Sequence, residues 1–271
     1  MSVPSAAVLL LPGMSLNETI FPDLGLPTLA PDFSHFAPGA PGMGPYVERV
    51  VALTASGPWQ EARHRVVVAH SFGGMLALSW LLAHPDAQKR LHGLVLIGTT
   101  AGPMFDAVRL RVAWWKSRAW RVGVGPLFPL WDSPRVTRGL HRLLNRGAPE
   151  AHPVDFQALA HHDDIRVGIA GWHATGWEAR RAFRGAMQGF DVRDRLAAIA
   201  VPTVVLHGEH DCYFTVASAR ALASALPRGE LRVVAGAGHV LSLTHGDAVR
   251  GAVQDLLRNA GYSASAAASS V

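Results

Sequence analysis

The 271-residue chain has a single cysteine, Cys212, so neither an internal disulfide framework nor a cysteine-ligated zinc site can form. Lysine is almost as scarce. Only Lys89 and Lys116 occur, and arginine supplies the rest of the 25 basic residues. Charged residues make up 17% of the chain and hydrophobic ones 49%, which excludes intrinsic disorder. No apolar run approaches the roughly 18–20 residues of a membrane span. The apolar stretch from Ala6 to Leu11 has no cation before it and ends at Pro12-Gly13, too short and wrongly flanked for a secretory signal. The expectation is a cytoplasmic globular protein, one large domain or one domain with an inserted lobe. At this length about 70–75% of the surface can be buried without staples.

Twenty acids oppose the 25 bases, a net charge of +5 with no Lys/Arg run of the kind that binds nucleic acid. The surplus is local. Between Pro103 and Glu150 nine cations, Arg138 and Arg142 among them, face only Asp106, Asp132 and Glu150. That stretch is either a solvated helix face or a docking surface for an anionic partner such as an acidic acyl carrier. Trp114, Trp115 and Trp120 lie among these cations; burial against a pocket accounts for them better than a membrane surface does. His161-His162-Asp163-Asp164 is no metal site, because four consecutive residues cannot share one helix face.

Nothing repeats at a fixed period. Short apolar runs alternate with helical stretches, the pattern of a parallel sheet covered on both faces. The predicted strands are Val8–Leu11, Thr28–Ala30, Arg65–Ala69, Leu94–Ile97, Thr203–His207 and Leu231–Val234, each read as a strand buried on both faces. Helices are predicted near Tyr46–Thr54, Gly73–Ala83, Val216–Leu226 and Asp247–Leu257. Residues 105–190 carry no strand signal and six of the eight Trp, and read as a helical lobe inserted over the sheet edge. That divides the chain into a core of residues 1–104 and 191–260, the lobe, and an Ala/Ser-rich frayed tail from Gly261 to Val271.

The third predicted strand runs into Ala69-His70-Ser71-Phe72-Gly73-Gly74 and then a helix. Strand, small-x-Ser-x-Gly turn and helix form the arrangement of a nucleophile elbow, in which small neighbours two residues either side permit a sharp turn at the serine. Ser71 is the candidate nucleophile, and it needs a base with an orienting carboxylate. His239 leaves the last strand through Gly236-Ala237-Gly238, and Asp211 follows the strand ending at His207-Gly208. The order Ser71, Asp211, His239 fits the elbow architecture. His207, His210 and His245 compete for the role of base, and Glu209 for that of acid. Two oxyanion donors are expected, the amides of Phe72 and of Met14 in the loop after the first strand. Trp172 and Trp177 are read as walls of an apolar acyl site, with Met104 and Phe105 near its mouth. Cys212 has no elbow of its own and is read as an incidental thiol.

These segments together resemble the α/β-hydrolase superfamily over nearly the whole chain. The resemblance rests on Leu9-Leu10-Leu11-Pro12-Gly13-Met14, Leu29-Ala30-Pro31-Asp32, Ala69-His70-Ser71-Phe72-Gly73-Gly74, Val95-Leu96-Ile97-Gly98, Val201–Asp211 and Gly236-Ala237-Gly238-His239. It implies a three-layer α/β fold with about six mostly parallel strands, a lid made by the insertion, and no cofactor or metal. It carries over Ser71 as nucleophile, Asp211 as acid, His239 as base, and Met14 and Phe72 as oxyanion donors. Pro12 stands where many relatives have His, and Ala69 where they have Gly. A serine rather than an aspartate at the elbow is unlike haloalkane dehalogenases and epoxide hydrolases. The form is most similar to lidded carboxylesterases for small apolar esters, including methyl esterases acting on carrier-bound acyl chains. Alternatives are an acyltransferase or lactonase on the same three residues, or a hydrolase-like receptor that binds without turnover.

Overall fold

In the computed structural model, residues 6–103, 171, 174–211 and 213–263 are described. Six strands, β1 Ala6–Leu11, β2 Thr28–Leu29, β3 His64–His70, β4 Gly93–Ile97, β5 Thr203–Gly208 and β6 Gly229–Val234, form one sheet in the order β2-β1-β3-β4-β5-β6. Every pairing is parallel. The predicted "mostly parallel" sheet is therefore wholly parallel among the described residues.

Alternation along the strands builds two cores. Leu9, Leu11, Val67, Ala69, Leu94, Leu96 and Val205 face one side. There they meet helices α1 Gly44–Leu53, α2 Phe72–Ala83, α3 Trp177–Met187 and α4 Val216–Ala225. Val8, Leu10, Val66, Val68, Val95, Ile97, Val204 and Leu206 face the other side, against Val249, Val253, Leu256 and Leu257 of α5 Gly246–Asn259. The result is three layers. Helix α2 buries ten of its twelve residues, because it runs beneath the central strands and has almost no solvent face.

One expectation fails at the sheet edges. The sequence predicts Leu231–Val234 to be buried on both faces, yet β6 has no fully buried residue, and Val233 is 42% exposed. Arg232 turns outward to Glu230 (2.7 Å) and Asp255 of α5 (2.8 Å). The two residues of β2 are likewise exposed or only partly buried. Edge strands lack a neighbour on one flank and have less covering them, and sheet order is not encoded in a strand's local composition. At the other end of the chain Tyr262 belongs to the ordered structure: its amide bonds to Leu257 O (2.9 Å) and its ring meets His64 at 5.6 Å. The tail expected from Gly261 thus keeps its first residues against the core.

The chain switches direction between β1 and β3: after β1 it steps outward to β2, then returns to the opposite flank. Ligands in open parallel sheets bind beyond the carboxyl ends at such a switch point. Register brings those ends level, with Leu11 beside Ala69, His70 beside Ile97, and Ile97 beside Leu206. The loops beginning at Pro12, Ser71, Gly98, Glu209 and Ala235 therefore leave one rim.

Candidate active site

Ser71 sits between β3 and α2 with φ 51° and ψ −115°, and with Ser15 it is one of two non-glycine residues at positive φ among those described. An L side chain in that region carries strain of about 1–3 kcal/mol, held only when surroundings over-determine it. Here they do. Ser71 N donates to Ile97 O (2.8 Å), its carbonyl receives Gly74 N (2.9 Å), and the Thr99 hydroxyl donates to the same carbonyl at 2.7 Å. Gly73 is required by close approach: a Cβ there would run into the Leu11 carbonyl oxygen. Ala69, in the other small position, is fully buried, so the sheet accommodates its methyl group.

Asp211 and His239 are brought together. His239 Nδ1 lies 2.9 Å from Asp211 Oδ2, with Asp211 1% exposed and His239 7%. Asp211 Oδ1 accepts the amides of Tyr213 (2.8 Å) and Phe214 (3.0 Å). Burial by itself raises the Asp211 carboxyl, but the charge and hydrogen bond of His239, then His207 and the Phe214 amide, outweigh it and hold it below the ordinary carboxylate value. The carboxylate is thus ionised at neutral pH and aimed at one imidazole nitrogen.

The competing residues are engaged elsewhere. Glu209 Oε2 accepts Gly236 N (3.0 Å) and stitches the two loops together. His207 is fully buried and points at Phe214 O (3.1 Å). His210 is an exposed neighbour of Glu209, and His245 lies against the Thr244 hydroxyl at the start of α5. The loop after β1 makes a tight turn, Leu16 N to Gly13 O (3.1 Å), with Ser15 at φ 61° and Met14 partly buried. Phe72 opens α2, and its ring is clamped edge-on by Tyr46 (5.1 Å) and Phe183 of α3 (4.8 Å). Trp177 lies in the first turn of α3, 43% exposed.

Met104, Phe105, Trp172, Cys212, His161–Asp164, Trp114, Trp115, Trp120 and the basic stretch with Arg138 and Arg142 lie outside the described residues, as does most of the lobe 105–190. Among the described residues no group of three or more His, Cys, Asp or Glu is placed to hold a metal ion, and no helix is long and apolar enough to cross a membrane.

Sequence reasoning assigned no role to Gly98 or Thr99. Gly98 has φ +50°, and a Cβ there would stand 3.1 Å from both Asp211 Oδ2 and His239 Nδ1. The missing side chain is what lets the pair rest on the end of β4. The available signal was a glycine at the end of an apolar strand.

The family model for the alpha/beta hydrolase fold matches residues 62–246. The chain belongs to that family. As an alpha/beta hydrolase it is 30% identical over 176 residues, 58% of its length, to polyketide synthase ThaQ of Burkholderia thailandensis. It is 25% identical over 180 residues, 65% of its length, to the putative carbamate hydrolase RutD of Serratia proteamaculans. It spans 8% of the first relative's length and 59% of the second's. A thermophilic esterase from Thermogutta terrifontis superposes with a TM-score of 0.64 at 21% identity, covering 95% of this chain and 91% of the esterase, a likeness of fold.

Proposed function

We propose that this alpha/beta hydrolase cleaves carboxylic esters through an acyl-serine intermediate. Ser71 Oγ attacks the ester carbonyl carbon as His239 takes its proton. The tetrahedral oxyanion is bound by the amides of Met14 and Phe72, each worth about 3–4 kcal/mol in the transition state. Collapse breaks the carbon–oxygen bond, and His239 returns the proton to the departing alcohol. Water, deprotonated by His239, then releases the acid and restores Ser71. Asp211 stays ionised throughout, fixing the imidazole tautomer and stabilising the imidazolium. The chemistry requires no cofactor.

The observation that carries this reading is the buried Asp211–His239 hydrogen bond of 2.9 Å on the same rim as a serine held at φ 51°. A small apolar ester is the proposed substrate, with Met104, Phe105, Trp172 and Trp177 as the acyl-site residues. The basic stretch within 103–150 suits an acidic acyl carrier as the ester's bearer. A second reading keeps the three residues but passes the acyl group to an acceptor other than water. It is favoured by the 30% identity to a protein named as a synthase.

Incubation with a fluorophosphonate should label Ser71 stoichiometrically, and Ser71→Ala should lose four or more orders of magnitude in turnover of p-nitrophenyl esters with its melting temperature preserved. Unlabelled Ser71, or substantial turnover by the alanine variant, would sink the proposal. Product analysis with added alcohols separates hydrolysis from transfer.

A further inference from the structure

Two buried histidines belong to neither the proposed nucleophile nor its base. His70, the last residue of β3, and His207, one residue before the end of β5, are both 0% exposed. His70 Nε2 lies 3.1 Å from the backbone carbonyl of His239, and His207 Nε2 lies 3.1 Å from that of Phe214. A carbonyl oxygen can only accept, so in each ring Nε2 carries the proton. Each Nδ1 is then a bare lone pair, and neither has a hydrogen-bond partner among the described residues. The two accepting carbonyls sit on different loops: one belongs to the proposed base, the other to the residue whose amide holds Asp211 Oδ1.

We propose that His70 and His207 are paired positioning residues, neutral imidazoles standing at the ends of β3 and β5 that tie the base-bearing and acid-bearing loops to the sheet and so set the His239–Asp211 geometry. This rests on the serine-hydrolase reading above.

His70 serves both sides of the site. Its ring lies 4.8 Å from that of His239, and a Cβ on Gly13 would stand 2.8 Å from its Nδ1. The ring therefore fills the space between the β1 loop, which would supply the Met14 amide, and the base. An unprotonated Nδ1 suits that contact, since a proton there would point at Gly13 with nothing to receive it. Neutrality also matters electrostatically. A charged ring 4.8 Å from His239 would oppose the imidazolium that forms in the transition state. The groups facing His70 are His239, which pushes it down, and Asp211, which pulls it up. The same two face His207, with the same signs. Burial dominates at both, holding His70 at about 3 and His207 below its ordinary value.

The variants are His70→Leu and His207→Leu, which remove the donor, and His70→Gln and His207→Gln, whose amide NH2 reaches the position of Nε2. Misplacement on the scale of an ångström costs roughly a hundredfold, so the Leu variants should lose about ten- to hundredfold in kcat and in the rate of fluorophosphonate labelling at Ser71, with KM within about twofold. The Gln variants should recover most of that loss. Nitrogen-15 NMR of the unmodified protein should show both rings as neutral Nε2–H tautomers from pH 5 to 8, a readout that survives if a Leu variant fails to fold. Labelling of the Leu variants at the unmodified rate overturns the proposal while leaving Ser71 as nucleophile. So does a Gln variant as impaired as its Leu counterpart, or a ring that titrates between pH 5 and 8 or carries its proton on Nδ1. Absence of labelling at Ser71 in the unmodified protein overturns both this inference and the reading it rests on.

Discussion

The two ends of the sheet are made from the same strands and spend their buried polar groups differently. At the amino end the groups pair off. Arg65, 7% exposed, gives Nε to Trp59 O (2.6 Å) and Nη2 to Gln60 O (2.7 Å), while its amide donates to His92 Nδ1 (3.2 Å). His64 reaches Ala260 O (3.2 Å), and Thr203 donates to Val201 O (2.9 Å). At the carboxyl end the ledger stays open. Ser15 Oγ, His70 Nδ1 and His207 Nδ1 have no hydrogen-bond partner among the described residues, and both non-glycine residues at positive φ lie there. Leaving a buried polar atom unpaired costs about 1–3 kcal/mol. A fold accepts that cost where geometry serves something other than stability, so the comparison alone points to the carboxyl rim as the working end.

The comparison breaks most visibly at Asp211. Asp211→Asn keeps an oxygen for the Tyr213 and Phe214 amides, which leaves an NH2 rather than an acceptor facing His239 Nδ1. The wrong tautomer then follows, and kcat should fall by about four orders of magnitude with little change in melting temperature. If instead stability collapsed and the residual folded protein turned over normally, the carboxyl rim would be structural in the way the amino end is.

Two glycine substitutions sharpen the contrast at intermediate scale. Gly73→Ala drives a Cβ into the Leu11 carbonyl, a backbone atom that leads directly into the Pro12-Gly13-Met14 turn. The expected cost is more than about 3 kcal/mol, with loss of activity in whatever folds. Gly93→Ala, at the amino end of β4, meets the Leu256 side chain of α5 at 2.8 Å. Repacking there should cost about 1–3 kcal/mol and leave kcat/KM unchanged. Urea unfolding together with ester turnover reads both. Equal activity loss in the two variants would remove the distinction between the ends.

Much of this was legible in the sequence, for identifiable reasons. Val66–Ala69 is uniformly apolar because β3 is central, and it runs without interruption into His70-Ser71-Phe72-Gly73, so strand, elbow and helix declare themselves locally. Asp211 and Glu209 both follow β5 in the sequence, and only contacts distinguish them: Asp211 lies 2.9 Å from His239, while Glu209 Oε2 accepts Gly236 N. What the sequence hid was neighbourhood. That β6 is an edge follows from strand order, which Leu231–Val234 does not carry, and Arg232 was the one hint. Gly98 lies against Asp211 and His239, and Thr99 bonds to the carbonyl of Ser71 28 positions back, relations that no local pattern encodes. His70 was visible as a histidine ending a buried strand, but its partner, the carbonyl of His239, lies 169 residues on.

The smallest effect is thermodynamic. In an unfolded chain His70 takes a proton near 6.5, whereas in the folded protein burial delays this to about 3. Between those values the unfolded state binds more protons, so His70 contributes stability that is fully present above pH 6.5 and is lost as pH falls. His207 acts in the same direction, as does the half-buried His92 at the amino end, where burial, then His64 and Arg65, push the ring down. From pH 7 to pH 4.5 the contribution of His70 should decline by about 2–3 kcal/mol. The urea midpoint should therefore drop across that interval, more gently in His70→Gln, whose side chain does not titrate. His92→Gln should flatten the same curve less, because its ring keeps more solvent. Were the two substitutions to flatten it equally, burial at the carboxyl end would carry no greater electrostatic cost than at the amino end, and the asymmetry between them would be one of geometry alone.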